Sequence, residues 1–217
     1  MMNDSKIITI DLDGTIVDCY PRQAAVTEYI LKELGIGNIE FQLIWKHKRS
    51  GLSTVAALNS YFPEVNSKII NCFVIRWLEL IEQPCWIKLD RLFPWSRSSL
   101  ETLKSMNFSL VLLTARQRPE NVLTFLKINE IDHLFSWLHI VSPQNAAEEK
   151  ASLLLQVKPL YHCGDSETDA LAAEKANVRF IGVSCGQRSR EFLEQYDSLT
   201  ILDDIRRLPQ SILQFST

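Results

Sequence analysis

Ile7-Ile8-Thr9-Ile10-Asp11-Leu12-Asp13-Gly14-Thr15-Ile16-Val17-Asp18 is the stretch whose reading decides the fold. Its first four residues are apolar or β-branched and do not alternate with polar ones, the pattern of a parallel strand covered on both faces. The strand ends in two carboxylates. Asp11 and Asp13 stand two apart, so an extended chain puts them on one face, and Gly14 then lets the backbone turn. Acids at the carboxyl end of a buried parallel strand lie where open α/β sheets hold their ligands. Two such acids repel each other unless a proton or a cation intervenes, and Mg²⁺ suits both hard oxygen ligands and a phosphate-bearing substrate. The competing reading is an ordinary strand end and turn, because Asp and Gly are common turn residues.

Working outward, the pattern changes from strand to helix after Asp18. Pro21 suits a helix start, Ala24 to Leu34 carries helical apolar spacing, and Gly35 and Gly37 offer a stop. Further helices are predicted over 41–48, over 52–61 closed by Pro63, and over 65–83 before Pro84. No strand pattern interrupts this block. The basic run Lys46-His47-Lys48-Arg49 ends the second helix, where positive charge complements the helix dipole. Such a run is either a solvated helix end or a source of a substrate contact, and Arg49 is then the candidate, since its planar fork suits a carboxylate or a second phosphate.

Strands and helices alternate beyond Leu89, which predicts a parallel sheet with helices on both faces. A helix over 96–106 precedes a buried strand over 108–113, which ends in Thr114-Ala115-Arg116. Arg116 reads as a phosphate-binding or substrate-binding guanidinium, or, by preference, as a solvated residue at the entry of the helix over 118–129. A strand over 139–141 and a helix over 145–156 follow. Lys150 lies near that helix's amino end, a place already favourable to anions, and Lys158 is its rival. The short apolar strand 160–163 delivers Gly164-Asp165-Ser166-Glu167-Thr168-Asp169, with Asp165 and Asp169 four apart and on one side of a helix start. These acids are also what a helix amino end favours on its own account. Strands over 178–183 and 200–202 and a helix over 203–213 complete the pattern.

Asp11-Leu12-Asp13-Gly14-Thr15, Thr114 at a strand end, Lys150 and the Gly164 to Asp169 segment occur in an order that resembles the haloacid dehalogenase superfamily. Within it the chain is similar to the phosphoglycolate-phosphatase-like enzymes with a helical cap. The resemblance covers Ile7 to Asp18 and about Leu89 to Leu202, and is architectural only in between. It implies a doubly wound, Rossmann-like α/β core formed by residues 1–18 and 86–217, with an inserted all-helical cap of residues 19–85. It further implies a Mg²⁺-dependent phosphatase that hydrolyses a small phosphorylated metabolite through an aspartyl-phosphate on Asp11. Mg²⁺ is then held by Asp11, the backbone carbonyl of Asp13, and Asp165, with Asp169 in an outer role. Asp13 serves as general acid and then general base, and Thr114 and Lys150 hold the phosphoryl oxygens. A sugar-phosphate mutase keeps all these residues, so that alternative stays open. So does a noncatalytic or phosphorylatable binding protein, although the phosphorylated Asp of a receiver is not on the first strand. Dehalogenation has no use for a second acid at Asp13.

The 217 residues suffice for one α/β domain with a substantial insertion. With 46% hydrophobic and 23% charged residues and a formal net charge of −3, the composition is that of a soluble globular protein with no pull toward nucleic acid. No apolar run approaches the roughly 20 residues that cross a bilayer. Five cysteines without CxxC spacing, and no secretory leader pattern, give the expectation of reduced thiols in a cytoplasmic protein, with Cys19 alone close to the first motif. The expected state is a monomer or homodimer with a small phosphorylated metabolite as its only partner.

Overall fold

Pairing of β1 (Lys6–Ile10) with two strands far along the chain organises the core of the computed structural model, which describes residues 6–37 and 39–215. β1 lies between β4 (Phe108–Ala115) and β6 (Tyr161–Gly164), parallel to both, with Ile8 beside Leu110 and Tyr161 and Ile10 beside Leu112 and Cys163. This central place explains the unbroken apolar run, because Ile8, Thr9 and Ile10 all have 0% exposure. The sheet continues through β5 (Trp137–Val141) on one side and β7 (Arg179–Val183) and β8 (Thr200–Leu202) on the other, giving the order β5-β4-β1-β6-β7-β8. All five pairings are parallel. β2 (Val17–Asp18) and β3 (Arg91–Leu92) form a separate two-stranded sheet.

The chain proceeds from β1 to β4 and β5 on one side, then returns to β6 and continues outward on the other. The strand order therefore reverses between β1 and β6, and a crevice beyond the carboxyl ends of these two strands is the ligand position of such a sheet. Asp11 and Asp165 stand at these ends.

Helices cover both faces. One apolar cluster joins Ile8, Ile10, Leu110 and Leu112 to Leu100 and Leu103 of α6 (Ser96–Ser105), Val122 and Leu126 of α7 (Pro119–Ile128), and Leu208 and Ile212 of α11 (Leu208–Phe215). A second joins Leu113 to Ala151 and Leu154 of α8 (Ala146–Val157) and Ala170 and Ala173 of α9 (Glu167–Ala176). Leu112 and Leu113 thus point to opposite faces, as neighbours in a strand do. The single turn α10 (Arg190–Leu193) follows β7. α8 ends at Lys158, whose left-handed backbone (φ 50) stops the helix.

The chain divides into two units, one ending at Asp18 and resuming at Leu92, the other Cys19–Arg91. The second contains α1 (Tyr20–Glu33), α2 (Phe41–Arg49), α3 (Thr54–Tyr61), α4 (Ser67–Leu80) and α5 (Pro84–Ile87). Pro21 and Pro84 occupy first turns, Ser53 accepts a hydrogen bond from Ala56 N at the start of α3, and Asn66 accepts from Lys68 N at the start of α4. Val26, Ile30, Phe41, Ile44, Leu58, Ile70 and Phe73 give the unit its own core. Arg22 donates from Nε to Asp90 at 2.8 Å and from Nη1 to the Ile81 carbonyl at 3.1 Å, tying the unit's first helix to its last residues. The return to the core, expected at residue 86, falls at Leu92, because α5 packs with α1 through the Tyr29–Trp86 ring contact. No helix among the described residues is long and apolar enough to cross a membrane, and none of the five cysteines is in a disulfide.

Candidate active site

β1 ends by giving the Asp11 amide to the Cys163 carbonyl at 2.9 Å, which holds the ends of β1 and β6 together. The chain then winds tightly. The amides of Ile16 and Val17 donate to the Leu12 carbonyl, and Gly14 takes φ +77, a left-handed conformation that a side chain strains. Space enforces the same choice, since a Cβ at Gly14 would collide with Asp165 Oδ2. Gly186, in the loop after β7, presses on the same oxygen from elsewhere. Asp165 is therefore seated between two glycine backbones, and its Oδ2 accepts the Gln187 amide at 2.5 Å.

Asp11, Asp165 and Asp169 are buried, and each offers an oxygen within 4.8 Å of the others. Lys150, in α8 and 2% exposed, donates to Asp11 Oδ1 at 2.7 Å and to Asp169 Oδ1 at 2.6 Å. Its rival Lys158 is exposed at the helix end. Asp169 is also held by Ser166 Oγ at 2.6 Å and lies 3.2 Å from Nε2 of the fully buried His162, whose Nδ1 is 3.0 Å from Thr9 Oγ1. A proton on Nε2 lets His162 donate to Asp169 and accept from Thr9. Asp169 thus has its oxygens engaged by three side chains, which fix it as the holder of Lys150.

One ammonium faces three buried carboxylates, and the ionisation of the acids reflects that deficit. Burial pushes Asp11 up to about 7, with Lys150 opposing and the charges of Asp169 and Asp13 adding to the rise. Burial also raises Asp165 well above the carboxylate range, reinforced by Asp11 and Asp169 and opposed by the Gln187 amide. For Asp169 burial is outweighed by Lys150 and His162, so it stays low. Lys150 loses by burial but gains more from Asp11 and Asp169, and its pKa rises. Two acids short of positive charge, presenting only oxygen donors, fit a hard divalent cation.

Asp13, the second acid of the first turn, is engaged differently. Arg116 grips it with a fork, Nε to Oδ2 and Nη2 to Oδ1, both at 2.6 Å. The preferred expectation of a solvated Arg116 is overturned, since the residue is 6% exposed. Its amide bonds to the Val141 carbonyl of β5, which extends the β4–β5 pairing by one residue, while its side chain reaches Asp13 beyond the end of β1. Thr114, 1% exposed, is the last residue but one of the same strand, in register with Ile140. Thr15, also fully buried, has a hydroxyl with no hydrogen-bond partner among the described residues.

Two features near these groups were not legible in the sequence. His162 looks like one polar residue inside an apolar strand. Arg188 pairs with Glu167 across 21 residues, at 2.6 and 2.5 Å, and joins the loop bearing Gly186 and Gln187 to the start of α9. In the helical unit the basic run is not uniformly solvated. Lys46 is exposed and Arg49 half-buried, but Lys48 is buried, donating to Gln23 Oε1 at 2.7 Å over the rings of Trp45 and Trp77.

The haloacid dehalogenase-like hydrolase family model matches residues 8–183. A phosphoglycolate phosphatase of Pseudomonas syringae pv. syringae is 26% identical over 94% of this chain and 78% of its own length. One from Mannheimia succiniciproducens is 28% identical over 86% and 88%. Among solved structures, a haloacid dehalogenase-like family hydrolase from Streptococcus pneumoniae shares the fold with a TM-score of 0.76 at 22% identity, covering 98% of each chain.

Proposed function

Because the chain belongs to the haloacid dehalogenase-like hydrolases, we propose that it hydrolyses a small phosphomonoester through an aspartyl-phosphate on Asp11, with Mg²⁺ as its resident cation. The observation that carries this reading is the placement of Asp11, buried at the switch point of the sheet and 2.7 Å from Lys150 within a three-carboxylate cluster. The names of the relatives support a small, carboxylate-bearing substrate.

Asp11, the Asp13 backbone carbonyl and Asp165 would hold Mg²⁺, which supplies charge neutralisation for the phosphoryl oxygens. An Asp11 oxygen attacks phosphorus and the ester oxygen departs with a proton from Asp13, leaving an alcohol and the acyl phosphate. Water then attacks the phosphoryl group while Asp13 takes its proton, releasing phosphate and restoring the Asp11 carboxylate. The Thr114 hydroxyl and Lys150 hold phosphoryl oxygens, a task of positioning and electrostatics. Asp169 acts through Lys150, fixing its ammonium.

The test is phosphate release from a panel of phosphorylated metabolites with and without Mg²⁺, repeated with Asp11→Asn. That variant keeps the shape of Asp11 and loses its nucleophile, so turnover should vanish while the circular dichroism spectrum stays native. Substantial turnover by Asp11→Asn overturns the aspartyl-phosphate. Isomerised sugar phosphate without free phosphate would establish the mutase alternative.

A further inference from the structure

Asp165 can serve a cation only if its carboxylate is held in one orientation. Its Oδ2 accepts the Gln187 amide at 2.5 Å, which leaves Oδ1 as the oxygen it can offer a cation. That amide belongs to the loop after β7, and both ends of the loop are fastened to the edge strand β8. The Ser184 amide donates to the Leu202 carbonyl at 2.9 Å, and Arg190 Nη1 donates to the Ile201 carbonyl at 2.7 Å. β7 lies between β8 and β6, so the middle of the loop must cross back over β7 to reach Asp165.

Two side-chain contacts carry it across. Cys185 Sγ donates to the Gly14 carbonyl at 3.3 Å, but a thiol is a weak donor. Arg188 instead forks Glu167, Nε to Oε2 at 2.6 Å and Nη2 to Oε1 at 2.5 Å, and a bidentate charged pair is the stronger of the two. The side chains are 11% and 28% exposed, so solvent screens the pair less than it would a surface pair. The guanidinium also lies over the Phe192 ring of α10, 5.5 Å from its centre. Glu167 is two residues beyond Asp165, and Arg188 is one beyond Gln187. The fork therefore closes a short ring that runs from Asp165 through Glu167 and Arg188 to the Gln187 amide and back to Asp165 Oδ2.

We propose that Arg188 is a positioning residue for the cation: by gripping Glu167 it holds the Gln187 amide on Asp165, and so sets how tightly the site binds Mg²⁺. The inference rests on the Mg²⁺-dependent phosphatase reading above and adds the residue pair that tunes its metal.

The experiment is thermal denaturation of wild type, Arg188→Met, Arg188→Lys, Glu167→Gln and the Arg188→Met/Glu167→Gln double variant, each in EDTA and across a Mg²⁺ series without substrate. The rise of Tm with Mg²⁺ gives the Kd for the ion, and the EDTA value gives the stability of the metal-free fold. Arg188→Met and Glu167→Gln should each raise the Mg²⁺ Kd by about 10- to 100-fold, the usual effect of removing a partner that orients a metal ligand. Arg188→Lys keeps the charge and loses the fork, and should fall between wild type and Arg188→Met. The double variant should bind Mg²⁺ no more weakly than the weaker single variant, because either change alone opens the ring. A lowered Tm in EDTA with an unchanged Kd shows a merely structural pair and overturns the inference. Additive changes in the double variant overturn it too, since the two residues then act separately. If Arg188→Met does not fold, the nearly isosteric Glu167→Gln decides on the same readings. A wild type whose Tm does not respond to Mg²⁺ refutes both the inference and the Mg²⁺ assignment. Phosphate release is scored separately on the metabolite panel, so release from no member removes the phosphatase reading while the Mg²⁺ series still decides the role of Arg188.

Discussion

Replacing Lys150 with Met keeps the length of the side chain and removes the one ammonium shared by Asp11 and Asp169. Taking away one partner of a buried pair costs about 3–5 kcal/mol. The lower end applies here, because Asp169 retains Ser166 and His162, and Asp11, already pushed up to about 7, can take a proton near neutral pH. A loss of about 3 kcal/mol in a chain of this size lowers Tm by about 6–12 °C. The measurement is thermal denaturation of both proteins in EDTA at pH 7, followed by repetition in Mg²⁺, which should recover part of the loss by supplying charge to Asp11. Phosphatase activity should fall by about 10²- to 10³-fold, the usual effect of losing one preorganised charge-stabilising group. A variant that melts within 2 °C of wild type and still turns over normally would refute the reasoning and make Lys150 a bystander.

Asp165→Ala should raise the Mg²⁺ concentration for half-maximal activity at least about 10-fold, because an ion that keeps several waters has few protein oxygens to lose; an unchanged Mg²⁺ titration, or activity that survives EDTA, would contradict this. Gly186→Ala drives a methyl group into Asp165 Oδ2 and the Gly14 carbonyl and should destabilise by about 1–3 kcal/mol in urea unfolding, with a weakened Mg²⁺ response; wild-type behaviour would show that the loop yields freely. In EDTA, Asp11 keeps its proton up to about pH 7 when folded but only to about pH 4 when unfolded. The folded state therefore binds more protons in that interval, and stability must fall as pH rises through it. The raised Asp165 acts in the same direction, while the lowered Asp169 acts in the opposite one only below about pH 4. A higher Tm in EDTA at pH 8 than at pH 5.5 would be incompatible with this, and added Mg²⁺ should stabilise more at pH 8.

The parts of the fold visible in the sequence are those whose burial imposes a pattern. Ile7 to Ile10 reads as a doubly covered strand because β1 is central, and Thr200–Leu202 is found as expected. Elements of two to four residues, β2, β3, α5 and α10, are too short to carry a period, and missing α5 moved the expected boundary from Leu92 to 86. The segment expected as one helix over 203–213 is a 3₁₀ turn, Ile205–Arg207, followed by α11, whose first turn accommodates Pro209. At the site, acids at strand ends are legible because local geometry puts them there. The burial of Arg116 is not legible in the sequence, because its partner lies 103 residues away and a position after a strand does not say whether a guanidinium turns in or out. His162 and the Arg188–Glu167 pair escape for the same reason, since their meaning lies in contacts between segments.

The central place of β1 has a consequence for synthesis. Its neighbours in the sheet begin at Phe108 and Tyr161, and Thr9 meets His162 across 153 residues. At ribosomal rates of about 5–20 residues per second, β1 therefore waits on the order of 8–30 s after leaving the ribosome before its second flank exists. Until β4 has emerged, Ile7-Ile8-Thr9-Ile10, a short β-prone segment without charge, has open edges on both sides, and one edge stays open until β6 follows. The helical unit, built from contacts within Cys19–Arg91, is complete long before then. The nascent chain consequently carries β1 with at least one unpaired, adhesive edge until Tyr161–Gly164 has been made.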